Sequence, residues 1–266
     1  MRNVVADMSN PLGLAPSLAF MSSDIVHIVG DCFGSFCDDK RVFTVTGVLM
    51  AIEDGTAILG RRLVAGQAIT AGDWARVRAA VVSSGEDLIV DESRPTSPAW
   101  LGTHKQHVHN VLVSDLRPVG SGYVAALHIH PANIMLADRD TGARHLPGML
   151  EVEACLQMAM ATTARYLTPA TPSAAFVTSA TDIRFRTFLF PLPASLSLTV
   201  ETRWERDDGR VDLDLSTQII QGGTVVMSMD FTAMTLPAVG LTAVENAQID
   251  ALSAAIASAT IERKHP

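Results

Sequence analysis

The chain is short of cysteine, of positive charge and of long apolar runs, and each shortage excludes something. Three cysteines in 266 residues (Cys32, Cys37 and Cys155) make no disulfide framework, which points to a cytoplasmic setting. Basic residues number 20 against 28 acidic ones, a net charge of −8, whereas a nucleic-acid binder carries a basic face. No apolar run approaches the ~20 residues that a membrane-spanning helix needs. Asp7, Asn10, Pro11 and Pro16 interrupt the mildly apolar start, so residues 1–23 read as an extended arm and not a signal peptide. Gly30-Asp31 with Gly34 is too short for a dinucleotide loop, and the Gly-x-Gly-x-x-Gly pattern is absent. What is present is 48% hydrophobic and 18% charged residues, the composition of a globular chain with an ample core.

The front of the chain reads as a small α/β-like module over 24–95. Ile25 to Val29 is a short apolar run stopped by Gly30-Asp31, a buried strand entering a turn. Phe43 to Ile52 suits a helix, Arg62 to Ala65 a strand, and Leu88 to Val90 another. Thr70 to Asp73 caps a helix over Trp74 to Val82, which Ser83-Ser84-Gly85 ends. Pro95 and Pro98, among small polar residues, mark a boundary over Glu92–Trp100.

The pattern then changes, and 101–237 reads as one antiparallel domain. His107 to Leu116 alternates as a strand, Pro118 to Gly122 turns the chain, and Tyr123 to Ile129 returns it. A long apolar helix runs from about Pro147 to Leu167, with proline suited to its first turn. Strands follow over Ala174–Phe190, Leu196–Arg206, Val211–Ile220 and Thr224–Leu236, with hairpin signals at Asp207-Asp208-Gly209 and Gln221-Gly222-Gly223. A tail over 242–264 has helical spacing at Val244, Ile249, Leu252 and Ile256. A helix that is apolar nearly all round must be buried, and an antiparallel sheet wrapped around it would bury it. The fold class expected is α+β.

The chemistry concentrates in His130 to Gln157. His130 ends a strand and precedes proline, and His145 lies two residues before Pro147. Glu151, Glu153 and Gln157 interrupt the apolar run Met149 to Met160, and acids there are costly to bury unless paired or used. Glu153 and Gln157 are four apart and share a helix face, whereas Glu151 lies nearly opposite and is assigned to solvent. The methionine and valine positions of the helix are assigned to the core. The catalytic candidates are Glu153 as general acid or base, with His130 or His145 as its partner. Backbone N–H groups of Gly148 and Met149 at the helix start are candidates for binding a developing negative charge, with Gln157 lining the site. His104, His107 and His109 lack ligand spacing for a metal, and none is expected. Arg184 and Arg186, which flank Phe185, could meet a phosphate but read first as a wet strand face. Cys155 reads as a small core residue.

This order of elements resembles the hotdog fold, preceded here by the small α/β-like module. Pro147-Gly148-Met149-Leu150-Glu151-Val152-Glu153-Ala154-Cys155-Leu156-Gln157 resembles the central-helix motif of the 3-hydroxyacyl-carrier-protein dehydratases. That match puts Glu153 at the catalytic carboxylate position and Gln157 at the glutamine one turn later. His107-Val108-His109 to Asp115-Leu116-Arg117, His130-Pro131 and His145-Leu146-Pro147-Gly148-Met149-Leu150 are similar to the A-factor biosynthesis (AfsA-like) hotdog family. The chain departs from both. His130 lies seventeen residues before Pro147, Leu156 stands where the AfsA-like proteins carry arginine, and the first hundred residues do not read as a second hotdog unit.

The resemblance implies an acyl-thioester enzyme of specialised metabolism that binds no cofactor of its own. Its acyl group arrives on acyl-carrier protein or CoA. Acyl transfer of a 3-oxoacyl group, 3-hydroxyacyl dehydration and non-catalytic acyl or ligand binding are the alternatives. A homodimer is the implied assembly, with neither nucleic acid nor membrane as partner.

Overall fold

A computed structural model of the chain describes residues 24–37, 41–56, 58, 62–91, 102–137, 144–168 and 174–262, with the side chains of 238 and 257–262 left aside. The arm over 1–23 and the boundary over 92–100 lie outside the described residues.

The front module is a parallel sheet with two helices. Its strands are β1 (Ile25–Val29), β2 (Val42–Thr44), β3 (Arg62–Ala65) and β4 (Ile89–Val90), ordered β2-β1-β3-β4. Helix α1 (Val45–Glu53) follows β2 and α2 (Ala71–Ser84) follows β3. The expected cap is present: Thr70 and Asp73 form a reciprocal capping box. Gly85 ends α2 in the left-handed conformation that glycine adopts at least cost. Val26, Ile28, Val48, Leu63, Trp74 and Val77 fill the space between sheet and helices.

The second unit is a six-stranded antiparallel sheet folded around one helix. Its strands are β5 (Val113–Val119), β6 (Gly122–Leu127), β7 (Ala175–Phe185), β8 (Ser195–Glu205), β9 (Val211–Gln221) and β10 (Thr224–Leu236), in the order β5-β6-β8-β9-β10-β7. A short helix α3 (Ile134–Ala137) precedes the central helix α4 (Gly148–Thr162), and a wider turn, Thr163–Leu167, extends α4. Strand β9 alternates buried Val211, Leu213, Leu215, Thr217 and Ile219 with half-buried Asp212, Asp214 and Ser216, so only one face meets α4. Leu150, Ala154, Cys155, Met158, Ala159 and Ala161 of α4 are fully enclosed. Gly222 and Gly223, both with positive φ, make the tight β9–β10 turn.

Three expectations change. Val108–Asn110 is a single helical turn and β5 begins only at Val113, so His107 and His109 do not alternate on a strand. Pro118 lies within β5, which an edge strand tolerates because proline's missing N–H faces no neighbour. The last helix, α5, starts earlier, at Ala238, and runs to Glu262 with Val244, Ile249, Leu252 and Ile256 exposed. Among the described residues no helix is long and apolar enough to cross a membrane.

The two units share a packed junction. Val29, Phe33, Val42 and Ala68 of the module belong to the same apolar cluster as Ile129, Leu146 and Leu189. Gly66 permits this: a Cβ there would lie 2.6 Å from the Pro191 carbonyl.

Candidate active site

One face of α4 carries the site. Met149, Glu153 and Gln157 recur at four-residue steps and line up along the helix. Glu153 Oε1 accepts a hydrogen bond from Gln157 Nε2 at 2.8 Å and lies 2.6 Å from Lys105 Nζ. The Glu153 and Lys105 side chains are 24% and 29% exposed, so the ion pair is sheltered but reachable from solvent. Lys105 arrives on a loop pressed against the far half of α4. Gly102 (φ 84°) makes that approach, because a Cβ there would come within 2.7 Å of Ala164 Cβ.

Gln157 is fully buried and both ends of its amide are engaged. Its Oε1 accepts from the Leu112 N–H at 2.8 Å, and its Nε2 donates to the Asn110 carbonyl at 2.9 Å as well as to Glu153. This explains the missing start of β5. Backbone groups around Asn110 to Leu112 bond to a helix side chain in place of a neighbouring strand.

The same segment reaches His130. The Ile134 N–H donates to Asn110 Oδ1 at 3.1 Å, and Asn133 Nδ2 donates to the His109 carbonyl at 3.1 Å. The His109 and His130 rings stack with centroids 4.0 Å apart and planes 11° from parallel. The Ala132 N–H donates to His130 Nδ1 at 3.0 Å, which assigns the proton of a neutral ring to Nε2. The loop after His130 is therefore linked to Glu153 through Asn110, which bonds Ile134, and Gln157. His145 lies elsewhere, beside the entry to α4, its ring 4.6 Å from that of Phe188. Among the described residues the polar partners of Glu153 are Lys105 and Gln157, and neither histidine is one of them.

At the head of α4, Gly148 packs against Phe185, whose ring would meet an added Cβ at 3.0 Å. The Met149 side chain is 65% exposed and is not core. The Gly148 and Met149 N–H groups fall in the first turn, where no intrahelical acceptor exists.

Glu151 reverses its sequence assignment. Its residue is 3% exposed, Oε2 has no hydrogen-bond partner, and burial pushes its carboxyl up to about 7. The wheel separates the two acids but does not say which side is covered: the sheet encloses the Glu151 side, and the Met149–Glu153 side under loop 102–112 keeps partial exposure. Cys155, one turn beyond Glu151, lies with Sγ 3.6 Å from Met227 Sδ. Burial pushes its thiol up to about 12. Arg184 pairs with Asp182 and Asp230, and Arg186 lies 3.4 Å from Ser228 Oγ. Sequence reasoning missed Lys105, since a lone lysine in a loop between histidines carries no pattern. Among the described residues no group of three or more His, Cys, Asp or Glu is placed to hold a metal ion.

An antiparallel sheet wrapped around one buried helix, with a carboxylate on that helix, defines a hotdog protein. The family model for the A-factor biosynthesis hotdog domain matches residues 101–237, just over half of the chain, and the chain belongs to that family. No curated protein matches it in sequence. Among solved structures it is similar to the dehydratase heterocomplex ApeI:P from Xenorhabdus doucetiae, at 12% identity and TM-score 0.45, over 57% of this chain and 99% of that one. It is also similar to AziG of S. sahachiroi (12% identity, TM-score 0.36, 46% and 90%) and to a conserved protein of Pseudomonas aeruginosa (16%, TM-score 0.33, 46% and 89%).

Proposed function

We propose that the protein transfers an acyl group, of the 3-oxoacyl type, from a carrier-protein or CoA thioester to an alcohol. The observation that carries this reading is the Lys105–Glu153–Gln157 cluster at the wall of α4. The Lys105 ammonium and the Gln157 amide both bond to the carboxylate and fix its orientation. An oriented carboxylate that solvent can reach suits a general base. The A-factor biosynthesis family match favours acyl transfer over the dehydratase alternative.

In the proposed sequence the thioester carbonyl oxygen lies over the Gly148 and Met149 N–H groups. Those are about 6 Å along the helix from Glu153, from the ~1.5 Å rise per residue. Glu153 takes the proton of the acceptor hydroxyl as its oxygen attacks the carbonyl carbon. The tetrahedral oxyanion collapses, the C–S bond breaks, and the thiolate takes the proton back from Glu153. The products are an ester and a free thiol.

A second copy is proposed to pair along β7, in a cytoplasmic homodimer. This strand ends the sheet, and Ile183, Phe185, Phe188 and Met149 are exposed along it and beside it.

The test is product mass. Incubation with 3-oxoacyl and 3-hydroxyacyl carrier-protein substrates plus an alcohol acceptor should give the ester. Loss of water from the 3-hydroxyacyl chain supports the dehydratase alternative and removes acyl transfer, and release of free acid removes both. Acyl binding without turnover leaves the binding-module reading standing.

A further inference from the structure

We propose that Gln67 of the front module is a positioning residue for His130, so that the module forms one wall of the site's support. The inference rests on the reading of His130 as a site residue. Residues 127–130 leave the end of β6 between two supports. On one flank the His128 N–H donates to the Leu112 carbonyl at 2.9 Å, and the Leu112 N–H is held by Gln157. On the other flank stands the loop that follows β3. Gln67 Nε2 donates to the Leu127 carbonyl at 3.1 Å, and Gln67 Oε1 accepts from the Ile129 N–H at 2.9 Å. The Ala68 N–H donates to the Ile129 carbonyl, the peptide group that leads into His130, at 2.8 Å. Gln67 thus holds residues 127 and 129 directly, and Gln157 reaches residue 128 from the other side through the Leu112 peptide.

The module loop is shaped for this contact. Gln67 is 5% exposed, although it lies in a loop. Its own backbone is anchored: its N–H donates to the Pro191 carbonyl and its carbonyl accepts from the Gly30 N–H, both at 2.9 Å. Gly30 lies so close that an added Cβ would be 2.1 Å from the Ala68 carbonyl oxygen. Ala68 itself adopts φ 59°, a left-handed conformation that alanine takes only when its surroundings impose it. Buried amides with both ends used have fixed geometry, so a shift of the loop moves residues 127–130 with it.

The test compares Gln67→Met with Thr70→Ala in the full chain. The first removes the amide at similar length, and the second removes the α2 cap without touching residues 127–130. Gln67→Met is expected to shift the His130 ring and Ile129 amide resonances. It should also raise KM with kcat little changed, since His130 is read as a wall of the site and takes no step in the proposed transfer. Thr70→Ala should leave the His130 resonances in place. Unmoved His130 and Ile129 signals in folded Gln67→Met overturn the proposal, and so does an equal shift in both variants. Should Gln67→Met not fold, amide exchange of the unaltered protein decides: a protected Ile129 amide supports the proposal and a freely exchanging one overturns it. The resonances are read without substrate, so a failure of the acyl-transfer reading shows separately, as absent turnover in the unaltered protein.

Discussion

Lys105 Nζ lies 2.6 Å from Glu153 Oε1, the shortest polar contact that Glu153 makes with its two partners. This pair joins a loop ahead of the sheet to the middle of the central helix, and it holds the carboxylate on which the proposed reaction depends. Glu153→Gln keeps the size and removes the base. Its turnover is expected to fall roughly hundredfold to ten-thousandfold, the contribution of a positioned general base. Steady-state kinetics on a carrier-bound substrate with retained circular dichroism checks this, and undiminished turnover removes Glu153 from the mechanism.

Lys105→Met tests the other partner. Removing the ammonium leaves Glu153 with Gln157 alone, so kcat/KM should drop by about tenfold or more, ~1.4 kcal/mol of transition-state stabilisation. The pair is partly exposed, so the stability cost should stay within about 1 kcal/mol. A variant that loses stability and keeps full activity assigns Lys105 to structure and not to catalysis.

Gln157→Leu keeps the bulk and deletes the amide. It strands the Leu112 N–H and the Asn110 carbonyl, both now bonded to Gln157. Leaving such buried groups unsatisfied costs about 1–3 kcal/mol each, so the urea midpoint should fall measurably. An unchanged midpoint means that neither group depends on the latch.

Glu151 predicts a stability that depends on pH. Its carboxyl is raised by burial from its ordinary value of 4.5 to about 7, so the folded chain prefers the protonated form. The acid is neutral in both states below about pH 4.5. Between about 4.5 and 7 the unfolded chain ionises first, and stability falls as pH rises; above 7 the loss is complete. At ~1.4 kcal/mol per pH unit the full effect is roughly 3–4 kcal/mol. Glu151→Gln should therefore stabilise the protein at pH 8 relative to its effect at pH 5. Equal changes in denaturation midpoint at both pH values exclude a buried, protonated Glu151.

Cysteine chemistry should be selective. Burial pushes the Cys155 thiol up to about 12, whereas Cys32 is exposed. Iodoacetamide at pH 8 is expected to label Cys32 in the folded protein and to reach Cys155 only after denaturation. Rapid native labelling of Cys155 is incompatible with its enclosed position.

Much of this molecule is written in local pattern. Strands β3 and β10 and the capped start of α2 are legible because alternation, capping residues and turn glycines act within a few positions of chain. The Glu153–Gln157 pair was also readable, since four-residue spacing on a helix brings side chains together whatever surrounds it. Tertiary structure alone decided the rest. Glu151 is buried because the sheet lies against its side of α4, and a helical wheel has no knowledge of its neighbours. His107 and His109 leave the strand pattern because residues 107–111 close a helical turn, and beyond it Gln157, remote in sequence, takes the Asn110 carbonyl and the Leu112 N–H. Lys105 and Gln67 join the site's surroundings only through folding across dozens of residues. Such contacts leave no periodic trace, because they depend on where distant segments meet and not on what lies beside them in the chain.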